Sequence, residues 1–267
     1  MKRSLFTAQV LRNETLSQSC NLIVLKRPGG FPQTKPGHFI SVRITDTTVP
    51  LLRRPYSIMD LTDSELFLLV KVVGRGSAIL SQARPGDQLD IAGPFGKTSF
   101  EPPESGKAVF VAGGTGLAPM IFAARMWVRN GSIGEVYLVH GAATKEELLS
   151  VLYGNDFTKV FHATIDGSAG FRGDVVSLLK QLVEDGAVPR GNLYSCGPRG
   201  MIEALFINFK ESFKQHHTSL ESVMACGVGA CRGCTIPVNC GGETILKTVC
   251  SDGTVFRADD IAWGVWQ

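Results

Sequence analysis

Several features that would fix a protein class at once are missing from this sequence. No apolar run approaches the ~20 residues that a membrane-spanning helix needs, so no membrane span is expected. Neither sign of charge dominates: 27 Lys and Arg stand against 24 Asp and Glu, a net +3. No basic run is long enough to mark a nucleic-acid surface, so no nucleic-acid partner is expected. The opening Met1-Lys2-Arg3-Ser4-Leu5 leads straight into strand-like alternation and lacks the apolar stretch of a secretory signal, which makes the cytoplasm the expected location. Histidine is scarce. The five present form no ligand set, and His216-His217 read as the polar end of a helix. No serine–histidine or carboxylate pair suggests hydrolysis.

What is present is ample apolar material and an uneven distribution of cysteine. With 267 residues and 44% hydrophobic content, the chain can bury one large or two ordinary domains plus a small module. Five of its seven cysteines lie between Glu221 and Cys250. Cys226, Cys231 and Cys234 follow C-x4-C-x2-C, and Cys250 comes after a hydrophobic, strand-like return. That spacing is the signature of a [2Fe–2S] cluster held by thiolates. A cluster with sulfide corners needs backbone N–H groups turned toward it and no side chains in the way. Gly227, Gly229 and Ala230 suit such a loop, since glycine reaches φ > 0 without strain. Structural zinc competes, but it usually takes two C-x2-C knuckles, and only one is present. Disulfides suit small secreted scaffolds rather than a chain of this length. For the fourth ligand Cys250 is favoured. Cys240 is the rival, but it sits beside Gly241-Gly242, which reads as a turn.

Residues 1–103 read as β-rich. Short alternating runs at 6–11, 20–26, 38–44, 66–73 and 88–92 are punctuated by Gly and Pro, a pattern for a sandwich or barrel. Two stretches within it suggest a ligand. In Arg53-Arg54-Pro55-Tyr56-Ser57-Ile58, an arginine can take a pyrophosphate bidentately. An aromatic two residues on shares its strand face and can stack on a flat ring, and the serine hydroxyl can reach a ring nitrogen. In Val72 to Leu80 a strand gives way to Gly74-Arg75-Gly76-Ser77 and a helix read as capped by Ser77, a start that can hold phosphate. Each stretch has a plain alternative: a strand with a surface arginine, and an ordinary helix cap. Together, on a barrel-like half, they resemble the flavin-binding domain of the ferredoxin–NADP reductase superfamily.

Residues 104–218 read as α/β. Lys107 to Ala112 is a continuous apolar strand, followed by Gly113-Gly114-Thr115-Gly116 and a helix over Met120 to Arg129 with proline near its start. Strand, glycine turn and helix form a phosphate-binding crossover, although G-x-G-x-x-G is absent. Strands at 135–140, 160–165 and 192–195 alternate with helices at 145–152, 174–183 and after Pro198, which means a parallel sheet. Gly113–Gly116 and Cys196-Gly197-Pro198 both lie at carboxyl ends of strands, where such sheets bind ligands. Cys196 alone reads as a buried core thiol; in the superfamily this cysteine approaches the nicotinamide. Asp166 ends a strand, where an acid repels the extra phosphate of NADPH and accepts from a ribose hydroxyl of NADH; it reads equally as a solvated turn residue.

Residues 219–267 read as a cluster module closed by Trp263 and Trp266, either covering the cluster, meeting a partner or packing on the chain's own domains. Nicotinamide gives up electrons in pairs and a [2Fe–2S] cluster takes them singly. A flavin bridges the two, so the expected relay is NAD(H), FAD, cluster and an outside acceptor. The fold expected is α+β multidomain: an antiparallel β-barrel flavin domain, a parallel α/β nicotinamide-binding domain and a small C-terminal [2Fe–2S] module.

Taken together, R-P-Y-S-I, G-R-G-S, G-G-T-G-L-A-P-M, D-G-S-A-G-F-R-G, C-G-P and M-A-C-G-V-G-A-C-R-G-C…V-C-S-D-G-T-V-F resemble the electron-transfer subunit family of class 1B dihydroorotate dehydrogenase over nearly the whole chain. The resemblance implies FAD on Arg54, Pro55, Tyr56, Ser57, Leu69, Val70, Lys71, Gly76 and Ser77. It also implies cluster ligation by Cys226, Cys231, Cys234 and Cys250, and an FMN-containing catalytic subunit as partner in a heterotetramer. The family often has arginine where Lys71 stands and threonine where Ser77 stands, and Cys240 is an extra thiol. Subunits of NADH-dependent ferredoxin–NADP reductase, sulfhydrogenase and sulfite reductase share these motifs. A self-contained oxygenase reductase would need a full ferredoxin domain, for which the tail after residue 218 is too short. A zinc-stapled binding module on the same fold is the non-enzymatic alternative.

Overall fold

The computed structural model describes residues 4–266; Met1, Lys2 and Arg3, read above as leading into the first strand, lie outside the described residues. The first half is a closed antiparallel barrel. Its strands are β1 (Ser4–Ser17), β2 (Cys20–Lys26), β3 (Phe39–Val42), β4 (Arg54–Leu61), β5 (Glu65–Lys71) and β6 (Gln88–Phe95). Their order is β1-β2-β5-β4-β3-β6, and β6 pairs back onto β1. Closure asks one strand to serve two neighbours. β1 does so over 14 residues, meeting β6 with Ser4–Gln9 and β2 with Val10–Ser17, with register shifts at Val10/Arg12 and Thr15/Ser17. Bulges of this kind turn the corner of a small barrel. Inward residues such as Ile23, Ile40, Ile58, Leu68, Val70 and Ile91 are fully buried in its centre.

The short helix α1 (Arg75–Leu80) follows β5. It begins earlier than expected. Gly74 is the N-cap, and Ser77 is the third helical residue, whose hydroxyl accepts the N–H groups of Val73 and Gly74.

The second half is a seven-stranded sheet of order β10-β9-β8-β7-β11-β12-β15. It comprises β7 (Lys107–Gly113), β8 (Glu135–Ala142), β9 (Lys159–Thr164), β10 (Phe171–Arg172), β11 (Asn192–Cys196) and β12 (Gln215–Ser219), with β15 (Val255–Arg257) antiparallel at one edge. Helices α2 (Leu117–Arg129), α3 (Val175–Glu184) and α4 (Arg199–Phe209) cover it. Asp174 caps α3, accepting from Ser177 N–H. The first eight residues of helix α2, Leu117–Ala124, are apolar and buried all round, while its last turn carries Arg125 and the exposed Val128 and Arg129. Leu117 through Ala124 pack between the sheet and the outer faces of β2, β4 and β5, so the barrel and sheet share one core.

Two further expectations fail. His216-His217 do not end a helix; they lie in β12, between β11 and β15. The run 145–152 is not a helix but two 3-10 turns, Lys145–Glu147 and Ser150–Leu152. Adjacent Leu148 and Leu149 are both buried, and a helix would swing one of them ~100° away from the core.

The tail forms a hairpin, β13 (Thr235–Cys240) and β14 (Glu243–Thr248), and the short α5 (Val249–Asp252) before β15. Its core joins Cys234, Ile236, Val249 and Cys250 to Phe39 and Phe95 of the barrel and to Ile202 of α4. Trp263 is buried beside Phe206, and Trp266 lies against Trp263 and under the Arg199 guanidinium; both pack on the chain itself. No helix among the described residues is long and apolar enough to cross a membrane.

Candidate functional site: two joined cavities and a sulfur-lined loop

Two cavities open where barrel and sheet meet. The first, about 290 Å³, is walled by Pro55, Tyr56 and Ser57 of β4, Leu69 and Lys71 of β5, Thr115, Ala118, and Ser219–Ser222, Met224 and Thr254 of the tail. The second, about 330 Å³, is walled by Gly113, Gly114 and Thr115 after β7, Gly141–Ala143 of β8 and its turn, Ile165, Asp174, Pro198 and Met201. Lys71, Thr115 and Glu221 line both. The cavities therefore share a wall.

The two stretches singled out in the barrel meet here. Arg53 is held off by Asp90 (2.6 Å). Arg54 instead lies over Gly76, where an added Cβ would come 3.0 Å from its Nε. Tyr56 is half-buried, and that burial pushes its hydroxyl up to about 12. It stays a neutral phenol beside the cavity. Alternation along β5 sends Leu69 and Lys71 to the cavity and Val70 into the barrel. Ser77 is not a wall residue; its hydroxyl is used within the turn.

On the sheet side the floor is backbone. A Cβ on Gly113 would come 2.8 Å from Met201 Sδ and Pro198 Cδ, and one on Gly116 would strike the Cys196 carbonyl. Bare backbone of this kind at a strand's carboxyl end admits a pyrophosphate closely. Cys196 is 1% exposed and does not line either cavity; burial raises its thiol pKa well above the ordinary value. Asp166 is exposed in a turn, accepting from the Ser168 N–H and hydroxyl, which lowers its pKa.

One residue of the junction was not singled out from the sequence. Glu221 faces both cavities, and among the described residues it has no hydrogen-bond or ion-pair partner. Glu221 is exposed at the cavities, and the protein around it desolvates its carboxyl enough to raise its pKa. An acid just before the cysteine run was the available signal.

Two residues past the cavity-lining Met224, the cysteines begin. Gly227 (φ 68°) and Gly229 (φ 86°) occupy left-handed conformations in their loop. The thiols fall into two pairs. Cys226 Sγ accepts from Val228 N and from Cys231 N, each at 3.4 Å. Cys234 Sγ lies 3.2 Å from Cys250 Sγ, which accepts from Gly229 N at 3.1 Å. These N–H groups pull the Cys226 thiol down to about 6. Among the described residues no three His, Cys, Asp or Glu converge on a single metal ion. A binuclear cluster takes thiolates two by two, one pair per iron. The donor set fits the cluster. Cys240 stands exposed at the far end of the hairpin.

Barrel, parallel sheet and sulfur-lined loop define a flavin- and iron–sulfur-dependent, NAD-linked oxidoreductase built on the ferredoxin–NADP reductase fold. Three family descriptions match consecutive stretches: an oxidoreductase FAD-binding domain over 7–100, an oxidoreductase NAD-binding domain over 110–206, and the iron–sulfur cluster binding domain of dihydroorotate dehydrogenase B over 221–262. The dihydroorotate dehydrogenase B (NAD(+)) electron transfer subunit of Geobacillus thermodenitrificans is 36% identical over 231 residues, covering 85% of this chain and 86% of that protein. Its counterpart in Geobacillus sp. strain WCH70 is 34% identical, covering 94% and 96%. The chain belongs to this family of electron transfer subunits. Among solved structures, that of an NADH-dependent reduced ferredoxin–NADP oxidoreductase, from work on flavin-based electron bifurcation, matches with TM-score 0.83 at 24% identity, covering 96% of this chain and 90% of that one. A ferredoxin–NADP+ reductase from Neisseria gonorrhoeae with bound FAD and NADP matches with TM-score 0.62 at 18% identity, covering 79% and 92%. Both matches speak to the fold.

Proposed function

We propose that this subunit passes electrons between NAD(H) and a separate, FMN-containing catalytic subunit that oxidises dihydroorotate, the two forming a heterotetramer in the cytoplasm. The observation that carries the reading is the shared wall. Lys71, Thr115 and Glu221 border both cavities, and the strand-and-loop segment 219–224 runs from that wall into the cysteines. Three units contribute: residues 1–103 the flavin, 104–218 the nicotinamide and 219–267 the cluster.

When bound, the flavin supplies the exchange between paired and single electrons. The chain supplies placement. Tyr56 offers a neutral ring face, Ser57 a hydroxyl, and Arg54 at Gly76 a cation for the flavin's phosphates. Pro55, Leu69 and Lys71 close the flavin cavity; Val70 supports it from inside the barrel and Ser77 from within the turn. Gly113–Gly116, Gly197 and Pro198 form the dinucleotide floor, with Asp166 at the ribose end and Cys196 as a protonated thiol behind the nicotinamide wall. Glu221 holds a proton on its carboxyl at the junction to higher pH than an ordinary glutamate. Cys226, Cys231, Cys234 and Cys250 hold the cluster.

The test is reconstitution. The cofactor-loaded subunit, mixed with the dihydroorotate-oxidising polypeptide of the same organism, should give a stable complex that reduces NAD+ with dihydroorotate, which neither component does alone. Absence of both complex and NAD+ reduction refutes the partner. Co-purification with a ferredoxin-reducing polypeptide instead would assign the subunit to that complex.

A further inference from the structure

His140 is the least expected group near the dinucleotide cavity. It lies in β8, directly before the cavity-lining Gly141, and is 0% exposed. Both ring nitrogens are engaged: Nε2 lies 3.0 Å from the Gly114 carbonyl oxygen, and Nδ1 lies 2.8 Å from the Tyr153 hydroxyl. The two rings meet edge to face at 5.8 Å. A carbonyl can only accept, so Nε2 carries the hydrogen. In the neutral ring Nδ1 is then the acceptor, and Tyr153 donates to it. Burial pulls the imidazole pKa down to about 4, so the neutral ring and its single tautomer hold throughout the physiological range.

We propose that His140 and Tyr153 are positioning residues that fix the Gly113–Gly116 turn for the nicotinamide dinucleotide. The inference rests on reading that cavity as the dinucleotide site. Gly114 is in the left-handed region (φ 54°), and an added Cβ there would meet nothing within 4 Å. Its peptide is thus free of steric confinement on that side. The Gly114 carbonyl accepts from Leu117 N–H at the end of the turn and from His140 below it, and the two donors together fix the following peptide plane. In a trans peptide N–H and C=O point in opposite directions, so the Thr115 N–H is aimed away from His140, toward the cavity that Thr115 lines. Tyr153 follows the 3-10 turn Ser150–Leu152, in the same run as Glu147, which pairs with Lys71 at 3.5 Å where both line the cavity. The Tyr153–His140–Gly114 chain therefore ties the turn to the cavity lip.

The experiment uses the cofactor-loaded subunit with NADH as donor and ferricyanide as one-electron acceptor. His140→Leu should raise KM for NADH about tenfold, the scale of one lost buried hydrogen bond, with kcat within about twofold and flavin content unchanged. His140→Gln, which can place an amide donor near the Nε2 position, should recover KM to within about threefold of wild type. Tyr153→Phe should raise KM severalfold by releasing the ring. Wild-type KM in His140→Leu overturns the inference, as does equal impairment of the Leu and Gln variants, which would mean simple packing. Should His140→Leu fail to fold, an unchanged KM in Tyr153→Phe overturns it alone. If the wild-type protein shows no saturable dependence on NADH, the reading of the cavity fails first and the inference falls with it.

Discussion

The seam between barrel and sheet and the loop that carries the cysteines are built in opposite ways. Along the seam, Leu117–Ala124 of α2 are buried on all sides, and Asp60 of β4, itself 3% exposed at its side chain, takes Arg125 at 3.1 Å and Arg129 at 2.6 Å. Geometry there is set by packing and by an ion network centred on the buried Asp60 before any cofactor arrives. Residues 221–233 hold no helix or strand and are mostly exposed, and most of the hydrogen bonds formed there end on sulfur. Within the loop Met224 alone among the described residues packs on a core, beside the buried flanks Leu220 and Cys234. The cleft is shaped by the fold, whereas the loop depends on what its thiolates bind. Such coupling of metal to local folding is general for thiolate sites.

The largest expected effect separates the two regions outright. Cys231→Ser should abolish the EPR signal of the reduced cluster while leaving the flavin bands in place; a surviving signal would remove Cys231 from the ligand set. The converse change lies at the seam. Asp60→Ala leaves two arginines facing a lost carboxylate and should lower unfolding free energy by about 2–3 kcal/mol, less than for a fully buried pair because Arg129 is 46% exposed. Denaturant titration reads it, and the cluster signal should be unchanged; concurrent cluster loss would mean the two regions are not separable. Tyr56→Ala should weaken flavin retention about tenfold, as expected for a lost stacking face, with iron content intact. Equal loss of both would make Tyr56 a plain core residue.

A finer comparison uses protons. Glu221 has a raised pKa, so it is protonated below that value, and wild-type flavin reduction by NADH should change as pH falls through it; Glu221→Gln should flatten that dependence in stopped-flow traces. At the sheet, buried His216 bonds the Ser195 hydroxyl at 2.7 Å, and burial holds its pKa down to about 3. The unfolded chain takes up that proton near pH 6.5, so stability from neutral His216 is full above 6.5 and is lost as pH falls toward 3. Between pH 7.5 and 5 the loss from this group is about 1–2 kcal/mol, and His216→Gln should remove that part of the slope.

Much of this organisation was legible in the chain. β2 runs over Cys20–Lys26 as its apolar pattern indicates, and β7 follows the continuous run from Lys107. The glycines of the sulfur loop adopt the positive φ that their placement suggested. The failures share a cause. Gln215–Ser219 has no apolar alternation and becomes a strand because β11 and β15 offer hydrogen bonds on both sides. Lys145–Leu152 has helical composition but must lay Leu148 and Leu149 flat on the core. Tertiary demands override local preference in both.

Residue identity and spacing alone determined the ligand chemistry: which atoms are sulfur, where backbone lies bare for phosphate, and that a strand-rich half precedes an alternating one. These are local properties, carried by side chains a few positions apart. That Arg54 meets Gly76, that Glu221 stands at the wall common to both cavities, and that His140 reaches under Gly114 were decided only by folding. Each of those contacts joins segments whose separation along the chain says nothing about their distance in space, and only the closing of barrel onto sheet sets that distance.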